Sequence, residues 1–178
     1  MELRAEQPSD HARVADIHRR AFGRPKAAVL VEALRHDDPQ ALALVAVQAG
    51  EVIGHVMFSR SLLDAPRRLV EVQVLGPLAV APEQQRRGAG GALVRRGLEL
   101  LDQRGVPLIF LEGNPRYYSR LGFTPGAAAG FRKPSLRIPD DAFQVATLST
   151  YEPWMTGTLV YAATFWAHDS VGLRDPGA

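Results

Sequence analysis

Apolar positions along this chain follow two periodicities, and their alternation sets the elements. Residues 2–7 predict a short opening strand. Pro8-Ser9-Asp10 offers a helix start with side-chain oxygens for the first free amides. Ala12, Ala15, Ile17 and Phe22 then recur at roughly helical spacing up to Gly23. A second helix is expected over residues 25–35, because proline is tolerated in a first turn, and Asp37-Asp38-Pro39 breaks it. Residues 41–49, 52–61 and 70–80 read as three consecutive strands, the first two joined at Gly50-Glu51, which suggests an antiparallel meander. On the third strand Val72, Val74, Leu78 and Val80 share one parity.

The most regular stretch is 88–104. At 100° per residue, Leu93, Val94, Gly97, Leu98, Leu100 and Leu101 fill one arc, and Arg95, Arg96, Glu99, Asp102 and Gln103 fill the other. This is a helix packed on one face. A buried strand at 106–111 follows, and its place after a helix implies a parallel crossover. Residues 115–121 fit a short helix ended by Gly122, and 124–141, rich in Gly, Ala and Pro, read as a loop over a site. Residues 143–149 and 156–165 read as two closing strands. The expected fold is a mixed, mostly antiparallel α/β sheet flanked by helices, a single domain over 1–178 with 142–178 as its closing strands.

Composition narrows this little. The 178 residues are 46% hydrophobic and 22% charged, ordinary globular values that rule out disordered and fibrous classes. No apolar stretch approaches the ~18 residues of a membrane span. Residues 1–7 hold no apolar leader core, so a cytoplasmic protein without a membrane partner is expected. The absence of cysteine excludes disulfides, thiolate metal sites and cysteine nucleophiles. Nineteen arginines stand beside two lysines, Lys26 and Lys133, but the net charge of +2 is too small for a dedicated nucleic-acid binder.

The segment with chemistry in it runs from Pro77 to Leu93. A strand ends at Val80, a short loop turns, and a glycine-rich helix start follows. Such a turn aims unpaired N–H groups at one point and adds the positive end of the helix dipole, which suits a phosphate or diphosphate. Gly88 and Gly90 permit close backbone approach, and Arg86 and Arg87 can add charged contacts. A Walker loop requires Gly-Lys-Ser/Thr, absent from Gly90-Gly91-Ala92, and a dinucleotide fingerprint requires a third glycine where Leu93 stands.

With Gln85-Arg86-Arg87-Gly88-Ala89-Gly90 the segment resembles the Q/R-x-x-G-x-G/A signature of the GNAT superfamily of acyl-CoA-dependent N-acyltransferases. Leu78-Ala79-Val80 and Pro82-Glu83 match the usual lead-in, and Tyr117-Tyr118-Ser119-Arg120-Leu121-Gly122-Phe123 resembles the family's Y-x-x-x-G-F element. Asn114-Pro115, the double tyrosine, and Phe143 and Gly157-Thr158 in the closing strands look most like the YhbS-like branch.

The resemblance implies a splayed strand pair that takes the pantetheine arm of acetyl-CoA along Leu78, Ala79 and Val80. The diphosphate would lie on the backbone of Gln85, Arg86, Arg87, Gly88, Ala89, Gly90 and Gly91, with Asn114 and Tyr118 also near the cofactor. It implies direct attack by a neutral primary amine on the thioester through a tetrahedral intermediate, with the Leu78 N–H as oxyanion donor and Tyr118 as general acid toward sulfur. Tyr117 is expected to pack. The general base stays open. Val72 and Val74 occupy the parity of Val80, Glu71 and Gln73 face the other way unless a bulge re-aims them, and Glu112 ends the next strand. The acceptor would be a small-molecule or peptide amine, and a homodimer is left open. The alternative is a non-catalytic acyl-CoA-binding sensor or scaffold.

Of the five histidines, His11, His18 and His36 read as solvated, His55 as a satisfied strand residue, and His168 lies near the tail. None has the i, i+4 spacing of a helical metal pair, so no metal is expected. Tyr151, Trp154, Phe165 and Trp166 read as packing residues.

Overall fold

A computed structural model describes residues 1–173. The elements are β1 (Glu2–Ala5), α1 (His11–Phe22), α2 (Lys26–Asp37), β2 (Leu42–Gln48), β3 (Glu51–Asp64), β4 (Leu69–Val80), α3 (Ala89–Gln103), β5 (Leu108–Glu112), α4 (Pro115–Tyr118), β6 (Thr124–Pro125), β7 (Phe131–Arg132), β8 (Phe143–Thr147), β9 (Gly157–Val160) and α5 (Ala163–Ala167). Hydrogen bonding orders the strands β1-β2-β3-β4-β5-β8-β6, with β9 on β3 and β7 on β9. The sheet is mixed and mostly antiparallel, as expected. Contacts divide the chain into two compact units, residues 1–59 with 75–100 and residues 60–74 with 101–178.

In the first unit β1 pairs antiparallel with β2, and β2 with β3. The N–H of Ala81 donates to the Ile53 carbonyl at 2.8 Å, which ties the end of β4 beside the start of β3. Successive β3 residues face opposite ways. His55 meets His18 of α1, whereas Gly54 lies against Leu93 of α3, so α1 and α3 cover opposite faces of the strand. Close approach of α3 depends on Gly97, where an added Cβ would run into the fully buried Phe58 ring. Gly97→Ala gains up to about 1 kcal/mol of helix propensity but overpacks the core by about 1–3 kcal/mol. A melting point lower by several degrees is the expected result of a thermal denaturation experiment.

In the second unit β4 pairs in parallel with β5 at Gln73–Ile109 and Val74–Phe110, which is the anticipated crossover through α3. β5 then pairs antiparallel with β8, and the end of β3 with β9. Phe110 stacks on Phe143 at 5.7 Å and meets Phe131 edge-on at 5.1 Å.

Two sequence expectations need correction. Val70, Val72 and Val74 are buried on one parity, but the alternation slips at Leu75, after which Leu75 and Ala79 are inside and Leu78 and Val80 are half-exposed. Pro77 has no N–H for a ladder, and proline in a strand marks such irregularities. Leu78 and Val80 therefore do not share the buried parity of Val72 and Val74. The run 156–165 is not one strand: β9 stops at Val160, and α5 takes Ala163–Ala167. The closing segment 142–178 thus holds two strands and a helix, and its last five residues lie outside the described ones.

Candidate functional site

The end of β4, a turn and the start of α3 form the most specialised backbone in the first unit. A single 3-10 turn, Pro82–Gln84, leaves the strand. The Gln85 side chain then reaches back, its Nε2 donating to the Val80 carbonyl at 3.1 Å, and fixes the bend to the strand end. Arg86 has φ +60° and Gly88 φ +92°. Left-handed residues alternating along a chain turn successive N–H groups inward into an anion-binding nest. Only glycine takes φ +92° without strain, whereas Arg86 holds its positive φ at a steric cost.

The first amide bond closing α3 is Ala92 N–H to the Gly88 carbonyl, 3.0 Å. The N–H groups of Ala89, Gly90 and Gly91 consequently have no intrahelical acceptor. Gly90 and Gly91 are half-exposed, and Gln85, Arg86, Arg87 and Gly88 are exposed. Ala89 is buried, so only its backbone can serve. Arg87 leans on Gln84 Oε1 at 3.4 Å. A Cβ added at Gly88 would meet nothing within 4 Å, and the bare amides that follow it fit a diphosphate.

The second unit contains Tyr118, Asn114, Glu71 and Glu112. Asn114 caps α4, its Oδ1 accepting from the Arg116 N–H at 2.9 Å, and Pro115 sits at the first helical position. The cap sets the direction of Tyr118. Its ring lies over Gly113, where a Cβ would collide with it, and edge-on to Phe123 at 5.7 Å and Tyr117 at 4.9 Å. Burial, reinforced by Tyr117, raises the phenol well above its usual range. Tyr118 is therefore protonated at any working pH. Tyr117, expected to pack, is 40% exposed and covers its neighbour.

The two candidate carboxylates differ sharply. Glu71 is exposed and pairs with Arg60 at 2.7 Å. Glu112 is half-buried; its Oε1 accepts from the Tyr161 hydroxyl at 2.9 Å and its Oε2 from the Gly172 N–H at 3.0 Å. Burial raises its pKa above the ordinary carboxylate value, against the pull of the Tyr161 and Gly172 bonds. Strand alternation places Glu112 and Phe110 on one face of β5 and Leu111 and Gly113 on the other. Tyr161 and the Gly172 amide were not singled out from sequence, since neither a loop amide nor a tyrosine in an apolar run announces a carboxylate partner.

The histidines also differ from expectation. His18 is fully buried rather than solvated, and its Nε2 lies 2.9 Å from His55 Nδ1. His36 is solvent-exposed as read. Among the described residues no cluster of three metal-ligating side chains occurs, and no helix is long and apolar enough to cross a membrane.

A family profile described as "Acetyltransferase (GNAT) domain" matches residues 2–126. The chain is 39% identical over 121 residues to the N-acetyltransferase YjhQ of Escherichia coli K12, covering 67% of each. It is 35% identical over 152 residues to the N-acetyltransferase YhbS of the same strain, covering 84% of this chain and 88% of that one. The crystal structure of YhbS from Escherichia coli in complex with CoA superposes with a TM-score of 0.83 at 32% identity, over 92% of this chain and 91% of that one. A GNAT family acetyltransferase from Brucella melitensis in complex with acetyl-CoA gives 0.73 at 31% identity, over 92% and 97%. With the signature turn, the capped Tyr118 helix and the mixed sheet, these likenesses show that the chain belongs to the GNAT acetyltransferase family.

Proposed function

We propose that this acyl-CoA-dependent acetyltransferase moves an acetyl group from acetyl-CoA to a primary amine by direct attack. The observation that carries the reading is the open bend at Gln85–Gly91, with bare amides at the start of α3. Gln85, Arg86, Arg87, Gly88, Ala89, Gly90 and Gly91 hold the diphosphate through backbone N–H groups, with the arginine side chains adding charge. Leu78 and Val80, half-exposed beyond the slip in β4, together with Ala79, offer main-chain groups to the pantetheine amides. Two relatives crystallised with CoA or acetyl-CoA support the choice of cosubstrate.

Acetyl-CoA supplies a thioester whose carbonyl becomes an oxyanion when the amine adds. The Leu78 N–H donates to that oxygen. Tyr118, held protonated, donates to the departing sulfur. For the proton lost by the amine, Glu112 is the carboxylate chosen, with the amine arriving from the face of the strand opposite the one Tyr118 covers. The Glu112 pKa is raised toward the working range, whereas Glu71 is a solvated partner of Arg60. The Asn114 side chain contributes by capping α4 and so aiming Tyr118, while its main chain stays near the cofactor.

Release of free thiol from acetyl-CoA, followed with a panel of small-molecule and peptide amines, tests the reading. Turnover with an amine supports it, whereas binding without thiol release supports an acyl-CoA sensor or scaffold instead. In the same assay Glu112→Gln is expected to lower kcat/KM about 100-fold and to remove the Glu112 ionisation from the acidic side of the pH profile, leaving the fall set by protonation of the amine. The Glu112 ionisation lies above the ordinary carboxylate pKa because burial raises it. A profile unchanged by the substitution would remove Glu112 as the base.

A further inference from the structure

We propose that the neutral His18–His55 contact seats α1 so that Arg20 braces the coenzyme A turn, and that protonation of the pair weakens coenzyme A binding. This rests on assigning the Gln85–Gly91 turn to the diphosphate.

Everything in the device lies in the first unit. His18 on α1 and His55 on β3 are both 0% exposed, with Nε2 and Nδ1 2.9 Å apart. His55 Nε2 faces Glu6 Oε1 at 3.6 Å. A carboxylate favours a donor opposite it, so the consistent tautomers have His18 Nε2–H donating to His55 Nδ1 and His55 Nε2–H pointing at Glu6. This leaves His18 Nδ1 as a bare acceptor with no partner. A proton added to His18 would sit on Nδ1 with nothing to receive it. A proton added to His55 would oppose two donors across the 2.9 Å contact. Either event separates the rings.

The nearby carboxylates relieve this only in part. Glu6 is already held by the Arg35 fork at 3.0 and 2.7 Å, and His11 stands 3.8 Å from it. Asp10 is taken by Arg4 at 2.7 Å. Burial first, and then the Arg35 charge, pushes His18 down to about 4. Burial, and then His18, Arg35 and His11, lowers His55, which Asp10 only partly opposes. When α1 loosens, both rings return toward the ordinary value near 6.5. The loosened form thus takes up protons as pH falls from about 6.5 toward 4, so the seating is complete above that window and fails within it.

The link to the site is two residues along the helix. Arg20 Nη2 bonds Glu83 Oε2 at 2.7 Å, and Glu83 belongs to the Pro82–Gln84 turn that opens the coenzyme A bend. Arg20 is thereby a positioning residue for that bend, and α1 is the arm that carries it.

Isothermal calorimetry of coenzyme A with wild type and Glu83→Ala, each at pH 7.5 and 5.0, tests the coupling. Glu83→Ala cuts the brace and leaves the histidine pair buried, so it also reports how far the ligand's own phosphates change affinity. Wild type is expected to lose about threefold more affinity on acidification than Glu83→Ala does, the scale an exposed ion pair such as Arg20–Glu83 can transmit. His18→Gln, provided its melting curve shows a folded protein, should lose the same excess. Equal pH ratios in wild type and Glu83→Ala would overturn the proposal. Failure of wild type to bind at pH 7.5 would instead overturn the diphosphate assignment, and the brace with it.

Discussion

Gly90→Val is expected to raise the Kd for coenzyme A about 100-fold while leaving the melting temperature within a few degrees of wild type. Gly90 is the second residue of α3 and is half-exposed, in backbone that any residue can adopt. Glycine is the poorest ordinary helix former, so valine there costs the helix nothing and gains a few tenths of a kcal/mol. The branched side chain would stand over the Ala89–Gly91 amides, where an anion must approach to bonding distance. Hydrogen bonds to charged groups contribute about 1.5–3 kcal/mol each. Loss of one or two corresponds to roughly two decades in Kd. Calorimetric titration beside thermal melting separates the effects, and an unchanged Kd would end the assignment. Gly88→Val should also abolish binding, but at φ +92° valine strains the backbone, so its melting point falls too and its result discriminates less.

What could be read from the sequence was whatever depends on local pattern. The α3 arc was legible because helix period and helix burial coincide: Leu93, Val94, Gly97 and Leu101 are buried in the structure. The left-handed turn at Arg86–Gly88, to which coenzyme A is assigned in the proposal, was legible for a similar reason, since glycine spacing controls how main-chain groups are exposed. Three features were not. The parity slip at Leu75 arises where Gly76 and Pro77 interrupt a ladder, and an alternation rule assumes an unbroken one. The α5 helix hides in Tyr161–Trp166, an aromatic-rich run that reads as strand by propensity. The burial of His18 was missed because its neighbours Arg19 and Arg20 suggest a wet face, although Val14 and Ile17, four and one positions before it, mark the dry one. Side-chain partnerships between distant segments, such as His18 with His55 or Tyr161 with Glu112, leave no mark in sequence spacing at all.

Tyr118→Phe is expected to lower kcat by about 100-fold while leaving the KM for acetyl-CoA and the melting temperature nearly unchanged. The ring, not the hydroxyl, makes the contacts over Gly113 and against Phe123, so phenylalanine keeps the packing. On the proposed role, the substitution removes a donor at the departing sulfur, and general acid catalysis contributes about two to four decades. The lower end applies here. Burial holds the phenol well above its usual range, whereas a thiol titrates near 8.5. Full proton transfer to a free thiolate is then uphill, so in the proposed role Tyr118 would act chiefly by hydrogen bonding while the carbon–sulfur bond breaks. The same raised pKa means that loss of the Tyr118 proton sets no alkaline limb below about pH 10. An acyl donor with a more acidic thiol should narrow the gap between wild type and variant, because its sulfur requires less help. A gap that persists unchanged with such a donor, or a Tyr118→Phe enzyme as fast as wild type with acetyl-CoA, would mean that sulfur leaves without the tyrosine.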